Sequence, residues 1–257
     1  VKLDVFSFGG GVQSTAVLVL AARGDIDCRL FLFANVGDDS ENPHTIRYMA
    51  EVTRPYAAVH DIVLEEVAKT PTLYQHAIES PTTVAVPMRM ANGAPGNRTC
   101  TDRWKRQPIA RRMRELGFTK ERPAIMGLGI STDEVIRVRT DSGIQHIRIE
   151  YPLIDMGISR SDCYGIIRDA GLPEPPRSSC WFCPYHQVAV WDRMRADDPT
   201  LFARAVEFER QMSEKRLSLG KDAVFLSSRA VPLDAAFPGD QPGLFDNANC
   251  ESGHCFT

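Results

Sequence analysis

The chain of 257 residues is 43% hydrophobic, enough to bury one large core or a core with an appended subdomain. A formal charge of -3 excludes binding to nucleic acid or acidic membranes through overall charge, so any such contact needs a local basic patch. No apolar run approaches the length of a membrane span and no signal-peptide pattern is visible, so a cytoplasmic protein without membrane association is expected.

A strand is predicted over 2–6, then the glycine-rich turn SFGGGVQST, then a helix over 14–23 closed by Gly24. Gly9, Gly10 and Gly11 permit positive φ and close ligand approach, while Ser14 and Thr15 offer hydroxyls where the helix dipole favours anions. The turn reads as a pyrophosphate cradle, or more plainly as a flexible connector. It is not the kinase-type loop, which requires a lysine where Gln13 stands. A strand over 29–35, a helix over 45–53 and a strand over 59–64 continue the alternation. That pattern predicts an α/β fold, a doubly wound parallel sheet covered by helices on both faces, with ligands at the carboxyl ends of the strands. The cradle and the segment Asn35-Val36-Gly37-Asp38-Asp39-Ser40 both fall at such ends.

Residues 66–101 contain Pro71, Pro81, Pro87 and Pro95 and read as an irregular excursion, long enough for a substrate loop or lid. A helix with Pro108 in its first turn runs to Gly117, an apolar strand covers 124–130, and Ser131 to Glu134 form a capping-box pattern opening another helix. Further helices are expected over 161–171 and over 199–219, the second closed by Gly220. The division expected is a nucleotide-binding α/β domain over 1–158 and a helical region over 159–257 with a flexible tail. Arg98, Arg103, Lys105, Arg106, Arg111, Arg112 and Arg114 crowd one stretch, as a phosphate-binding patch or a solvated helix face would. Seven cysteines, with Cys180 and Cys183 spaced as CxxC, suit a metal, cluster or redox pair in a reducing compartment better than a secreted disulfide framework.

Five motifs occur in order: Gly9-Gly10-Gly11-Val12-Gln13-Ser14; Asn35-Val36-Gly37 with Asn42-Pro43-His44-Thr45; Gly129-Ile130-Ser131-Thr132-Asp133-Glu134 with Arg137; Tyr151-Pro152-Leu153-Ile154-Asp155; and Ser179-Cys180-Trp181-Phe182-Cys183-Pro184. With them the chain resembles the PP-loop ATP pyrophosphatases of the adenine-nucleotide alpha-hydrolase superfamily, especially the phosphoadenylylsulfate-reductase-like branch. Where that family has SGGxDS, Gly9 replaces the serine and Gln13 the aspartate; Ser131 replaces the arginine of GIRxxES. The resemblance implies ATP with Mg²⁺, held by Ser7, Gly9, Gly10, Gly11, Gln13, Ser14, Thr15, Asn35, Gly37 and Gly129. It offers Asp38 or Asp39 as a metal contact, and Lys105, Arg103 or Arg137 as a grip on pyrophosphate or acceptor phosphate.

The branch's iron-sulfur members carry a cysteine pair, then Lys and Pro, then CxxC. Here Cys100 precedes Lys105 and Pro108, Thr101 stands in place of a second cysteine, and Cys180 and Cys183 follow. Three thiolates imply a 4Fe-4S cluster with one open iron, catalytic Cys100 included. Zinc completed by His186, or free redox-active thiols, are the alternatives. The function implied is ATP-dependent sulfur transfer to nucleic acid, with DNA backbone phosphorothioation ahead of tRNA thiolation. A cysteine desulfurase would be the sulfur donor, and other subunits of a modification complex would be partners. Cys250 and Cys255 could receive sulfur or belong to a disordered tail. A reductase of adenylylsulfate or its 3'-phosphorylated form, and a non-catalytic nucleotide-sensing module, are the other functions considered.

Overall fold

The computed structural model describes residues 1–81 and 85–237; Cys250 and Cys255 lie outside them. The described chain forms two compact units, Val1–Thr70 with Arg103–Ser179, and Pro71–Asp102 with the chain from Cys180 onward. This grouping differs from a single cut near 158, because the Arg160–Asp169 helix packs on the Val12–Arg23 helix within the first unit.

The first unit is built on five parallel strands, β1 (Val5–Phe8), β2 (Leu30–Asn35), β3 (Val63–Ala68), β4 (Ala124–Leu128) and β5 (Ile147–Glu150), in the order β3-β2-β1-β4-β5. Both faces of such a sheet are buried, which is why VFSF, LFLFAN and AIMGL are nearly continuous apolar runs without strict alternation. Phe6, Phe8, Phe31 and Phe33 fill one face beneath the Val12–Arg23 and Arg160–Asp169 helices. Val5, Leu32, Ala34, Met126 and Leu128 fill the other with Ile109, Ala110 and Met113 of the Gln107–Glu115 helix. The expected α/β architecture is therefore present. Gly127 sits where a β-carbon would approach Leu3 Cδ1 to 2.6 Å and Phe6 Cδ2 to 2.7 Å, so a larger residue there would force these side chains to shift. The strand order reverses between β1 and β4, which opens a crevice at their carboxyl ends.

Several elements differ in extent from the sequence pattern. The helix expected over 45–53 begins at Pro43, passes through a π turn over Met49–Thr53 and continues as Arg54–Val59. The strand placed at 59–64 is Val63–Ala68, displaced by the end of that helix. After β4 the chain makes a 3-10 turn over Thr132–Arg137 in place of an α-helix. β5 was not expected: its sequence IRIE leaves Arg148 and Glu150 exposed, the weak alternation of an edge strand.

In the second unit the excursion over 66–101 is less irregular than expected, since it holds the Leu73–Glu79 helix with a Thr72–Gln75 capping box. Lys215 Nζ reaches the last carbonyls of that helix, Ala77 and Ile78 O, from the Pro199–Ser218 helix. Tyr74, Trp181, Phe182 and Phe208 form an aromatic cluster with ring centroids 4.5 to 6.1 Å apart. The Val188–Asp197 helix, also unexpected, follows the cysteine segment.

Glu209, 4% exposed, accepts the Leu226 N–H on Oε2 at 2.5 Å and the Leu233 N–H on Oε1 at 2.6 Å, tying the segment after the long helix back onto it. Burial pushes its carboxyl up to about 7, against the two N–H groups that favour the charge. A raised folded pKa means that the native state binds more protons than the unfolded chain between about 4.5 and about 7, so this contribution is complete below that window and is lost as pH rises through it. Urea unfolding across pH 4.5–7.5 should show wild type losing on the order of 3 kcal/mol relative to Glu209→Gln as pH rises. A constant difference would show that Glu209 is not the titrating group.

Candidate nucleotide-binding site

The glycine turn leaves β1 at Phe8 and bends at Gly10, whose φ of 75° is left-handed, before the Val12–Arg23 helix begins. A β-carbon at Gly10 would lie 3.0 Å from Thr45 Cγ2 and 3.6 Å from Ser178 Oγ, so the bend is closely walled by two other segments. Gly129, at the end of β4, approaches Gln13 and Ser14 to 3.4 Å by the same measure. Ser7 is buried in β1. Ser14 does not offer a free hydroxyl: its Oγ accepts from Gly11 N at 3.0 Å and donates to Gly11 O at 2.9 Å, closing the first turn on itself. Thr15, fully buried one residue later, has an Oγ1 without a hydrogen-bond partner among the described residues.

The third wall comes from far along the chain. Ser178 Oγ donates to Gly9 O, and Asn42 N donates to Ser179 O at 3.0 Å. Between these contacts lies Glu41, brought inward by a turn in which Ser40 N and Glu41 N both donate to Gly37 O. Glu41 is wholly buried, and burial pushes its pKa up; Lys105, the Asn42 and Ser179 N–H groups and the Ser178 hydroxyl act in the opposite direction. Neither Glu41 nor the Ser178-Ser179 pair was singled out from sequence. The available signal was a carboxylate just before the Asn42 helix cap, and two serines between the proline-rich break and CxxC.

Asn35 organises the adjoining loop, accepting Gly37 N on Oδ1 at 2.8 Å and donating from Nδ2 to Asp38 Oδ1 at 2.7 Å and to Glu66 Oε1 at 2.9 Å. Asp38 is therefore exposed with one oxygen already engaged, and Asp39 accepts from Ser40 Oγ at 2.8 Å. On the opposite side, Gln13 Nε2 donates to Glu134 Oε2 at 3.0 Å, and Glu134 Oε1 pairs with Arg137 Nη1 at 2.8 Å. Gln13 thus holds Glu134, which holds Arg137, and Arg137 Nε is buried without a hydrogen-bond partner among the described residues.

Thr15 Oγ1, Thr45 Oγ1, Ser179 Oγ and Glu41 Oε2 are all buried and have no hydrogen-bond partner among the described residues. An unmet buried hydroxyl costs about 1–3 kcal/mol, and native interiors hold few. Three such hydroxyls around a glycine bend at a helix N-terminus and a strand-order switch fit a polyphosphate, which brings the acceptor oxygens they need. ATP is consistent with the residues present. Gly10→Ala would impose a strained φ and press on Thr45, so the affinity for ATP measured by calorimetry should fall about tenfold, the equivalent of about 1.4 kcal/mol. Unchanged affinity would place the nucleotide elsewhere.

The basic stretch does not act as one patch. Arg112 Nε pairs with Glu65 Oε1 at 2.6 Å, Arg111 Nε with Glu115 Oε1 at 3.6 Å, and Arg106 Nη2 donates to Ser142 O. Lys105 bears on Glu41, whereas Arg103 and Arg114 are exposed. Arg98 belongs to the second unit, its guanidinium 4.8 Å from the Tyr185 ring centroid.

Cys100, Cys180 and Cys183 all lie in the second unit and are partly exposed. A turn closes the pair, with Cys183 N donating to Cys180 O at 3.1 Å. Cys100 and Cys183 both act on Tyr185, whose pKa is raised by burial first and by these two thiols, with Arg98 and Arg89 opposing. His186 directs Nε2 to Cys180 O at 3.0 Å. Among the described residues no three or more His, Cys, Asp or Glu side chains are grouped to hold a metal ion. Cys28 and Cys163 are buried, and burial pushes both thiols up to about 12, which makes them inert.

No family model and no curated protein matches the sequence. Among solved structures, one similar chain is the U34-tRNA thiolase NcsA from Methanococcus maripaludis with its 4Fe-4S cluster: 14% of residues are identical, 82% of this chain and 72% of that chain are covered, and the TM-score is 0.45.

Proposed function

We propose that the chain is an ATP-dependent sulfurtransferase of the PP-loop kind, which adenylylates a nucleic-acid acceptor, releases pyrophosphate and replaces the activated oxygen by sulfur. The observation that carries this reading is the group of buried, unpartnered hydroxyls around the Gly10 bend. Oxygen on carbon or phosphorus is a poor leaving group, and attack of that oxygen on the α-phosphorus of ATP turns it into AMP. The bend N–H groups and the Thr15, Thr45 and Ser179 hydroxyls would hold the polyphosphate, while Lys105 and Arg137 supply positive charge for the departing pyrophosphate.

Sulfur transfer is assigned to the thiols of the second unit. A persulfide on one cysteine attacks the activated centre and expels AMP, leaving product and protein joined through a disulfide. A neighbouring thiolate then displaces the product sulfur, and the protein disulfide so formed is reopened by two electrons from a dithiol reductant. The short turn between Cys180 and Cys183 suits that second step. A cysteine desulfurase is the natural persulfide donor, within a modification complex. The DNA backbone is the favoured acceptor, on the motif order shared with the reductase-like branch, and a tRNA base is the second.

Anaerobic protein supplied with a persulfide donor and dithiol, and assayed with DNA, tRNA and adenylylsulfate in parallel, is expected to release pyrophosphate and thiolate DNA. Cys180→Ser and Cys183→Ser should retain pyrophosphate release and lose sulfur incorporation. Sulfite from adenylylsulfate would instead make the chain a reductase, and iron with acid-labile sulfide in stoichiometric amounts would return sulfur handling to a cluster. Affinity for DNA should fall with salt at a log-log slope of about 0.9 per neutralised phosphate, and a flat response would exclude a backbone acceptor.

A further inference from the structure

We propose that Glu41 is the carboxylate ligand of the divalent cation that accompanies the nucleotide polyphosphate, in place of the exposed Asp38 and the half-buried Asp39. The proposal rests on the nucleotide reading of the Gly10 bend and names the cation ligand of that same site.

Glu41 has 0% exposure, and its Oε2 has no hydrogen-bond partner among the described residues. Its other contacts are the backbone N–H groups of Asn42 and Ser179 and the Ser178 hydroxyl. Through Ser178, which touches Gly9 O and stands 3.6 Å from a β-carbon position on Gly10, the carboxyl is one residue away from the bend. A polyphosphate in that bend brings several negative charges close to a carboxyl shielded from water. Two anions can share a low-dielectric site only with a cation or a proton between them. Lys105 supplies one positive charge on this side, fewer than a triphosphate and a carboxylate together require.

The donor types favour a small hard cation. Glu41 Oε2 and the unpartnered oxygens of Thr45 and Ser179 are hard ligands, and Mg²⁺ or Mn²⁺ is commonly held by one carboxylate, a hydroxyl, phosphate oxygens and water. The two carboxylates that sequence position favoured are less suited. Asp38 is exposed with Oδ1 engaged by Asn35, and Asp39 is engaged by Ser40.

Calorimetric titration of ATP into wild type, Glu41→Gln and Asp38→Asn, each in Mn²⁺ and in EDTA, tests the proposal, with electron paramagnetic resonance reporting bound Mn²⁺. Wild type and Asp38→Asn should bind ATP at least tenfold more tightly with Mn²⁺ than in EDTA. Glu41→Gln should bind ATP in EDTA as well as wild type or better, yet gain less than about twofold from the metal. A Mn²⁺ gain retained in Glu41→Gln overturns the proposal and leaves a proton between carboxyl and phosphate. Glu41→Asp, with the charge kept and the oxygen withdrawn by one methylene, covers the case in which the amide variant does not fold; it should lose most of the gain, and an unchanged gain is equally fatal. If wild type binds ATP under neither condition, the nucleotide reading fails as well, a result distinct from loss of the metal gain alone.

Discussion

The Ser178 hydroxyl meets the Gly9 carbonyl across 169 residues of sequence, and one residue later the Ser179 carbonyl receives the Asn42 N–H. These two bonds convert a glycine-rich turn, otherwise an ordinary link between strand and helix, into a walled recess. Without them Gly10 would face only Thr45 and Met49, and Glu41 would lose the Ser179 N–H and Ser178 hydroxyl. The order of the sheet places the turn at the carboxyl end of β1, and the return of the 178–179 segment supplies polar atoms that the turn itself lacks. Ser14, the hydroxyl nearest to hand, is already engaged by its own helix end.

Charge in the first unit is arranged in short relays. Gln13 steers Glu134, Glu134 steers Arg137, and Asn35 bridges Asp38 and Glu66, the latter paired in turn with Arg54 at 2.6 Å. A glutamine at position 13 donates where an aspartate would repel Glu134, so the difference from the SGGxDS motif that the turn resembles has a local partner that accommodates it. The basic residues of the 103–114 stretch follow the same economy, with Arg106, Arg111 and Arg112 holding the sheet edge and the helix together. Arg103, Arg114, Arg139 and Arg148 are exposed.

Hydrophobic runs made the parallel sheet legible, because strands covered on both faces leave an unambiguous trace: β1, β2 and β4 were each placed to within a few residues. β5 was missed because an edge strand of four residues with two charged side chains carries almost no periodic signal. The site was half legible. Glycine content and strand context located the bend, but the Ser178-Ser179 wall depends on a tertiary return that no local pattern announces. Glu41 was hidden for the opposite reason, since a charged residue before a helix cap ordinarily belongs on the surface. The basic run misled for a related cause: sequence clustering does not reveal which guanidinium groups are already paired.

Trp181 and Phe182, the two residues between the thiols of CxxC, are 1% and 0% exposed and stack into Tyr74 and Phe208. Pulling both from that packing would cost about 3–6 kcal/mol, so the cysteines are spaced by their own anchor. Within the second unit the CxxC segment is thus a fixed feature and not a loose arm. On the proposed sulfur-transfer reading, donor and recipient would each have to come to this anchored segment, and the order of their visits becomes the kinetic question.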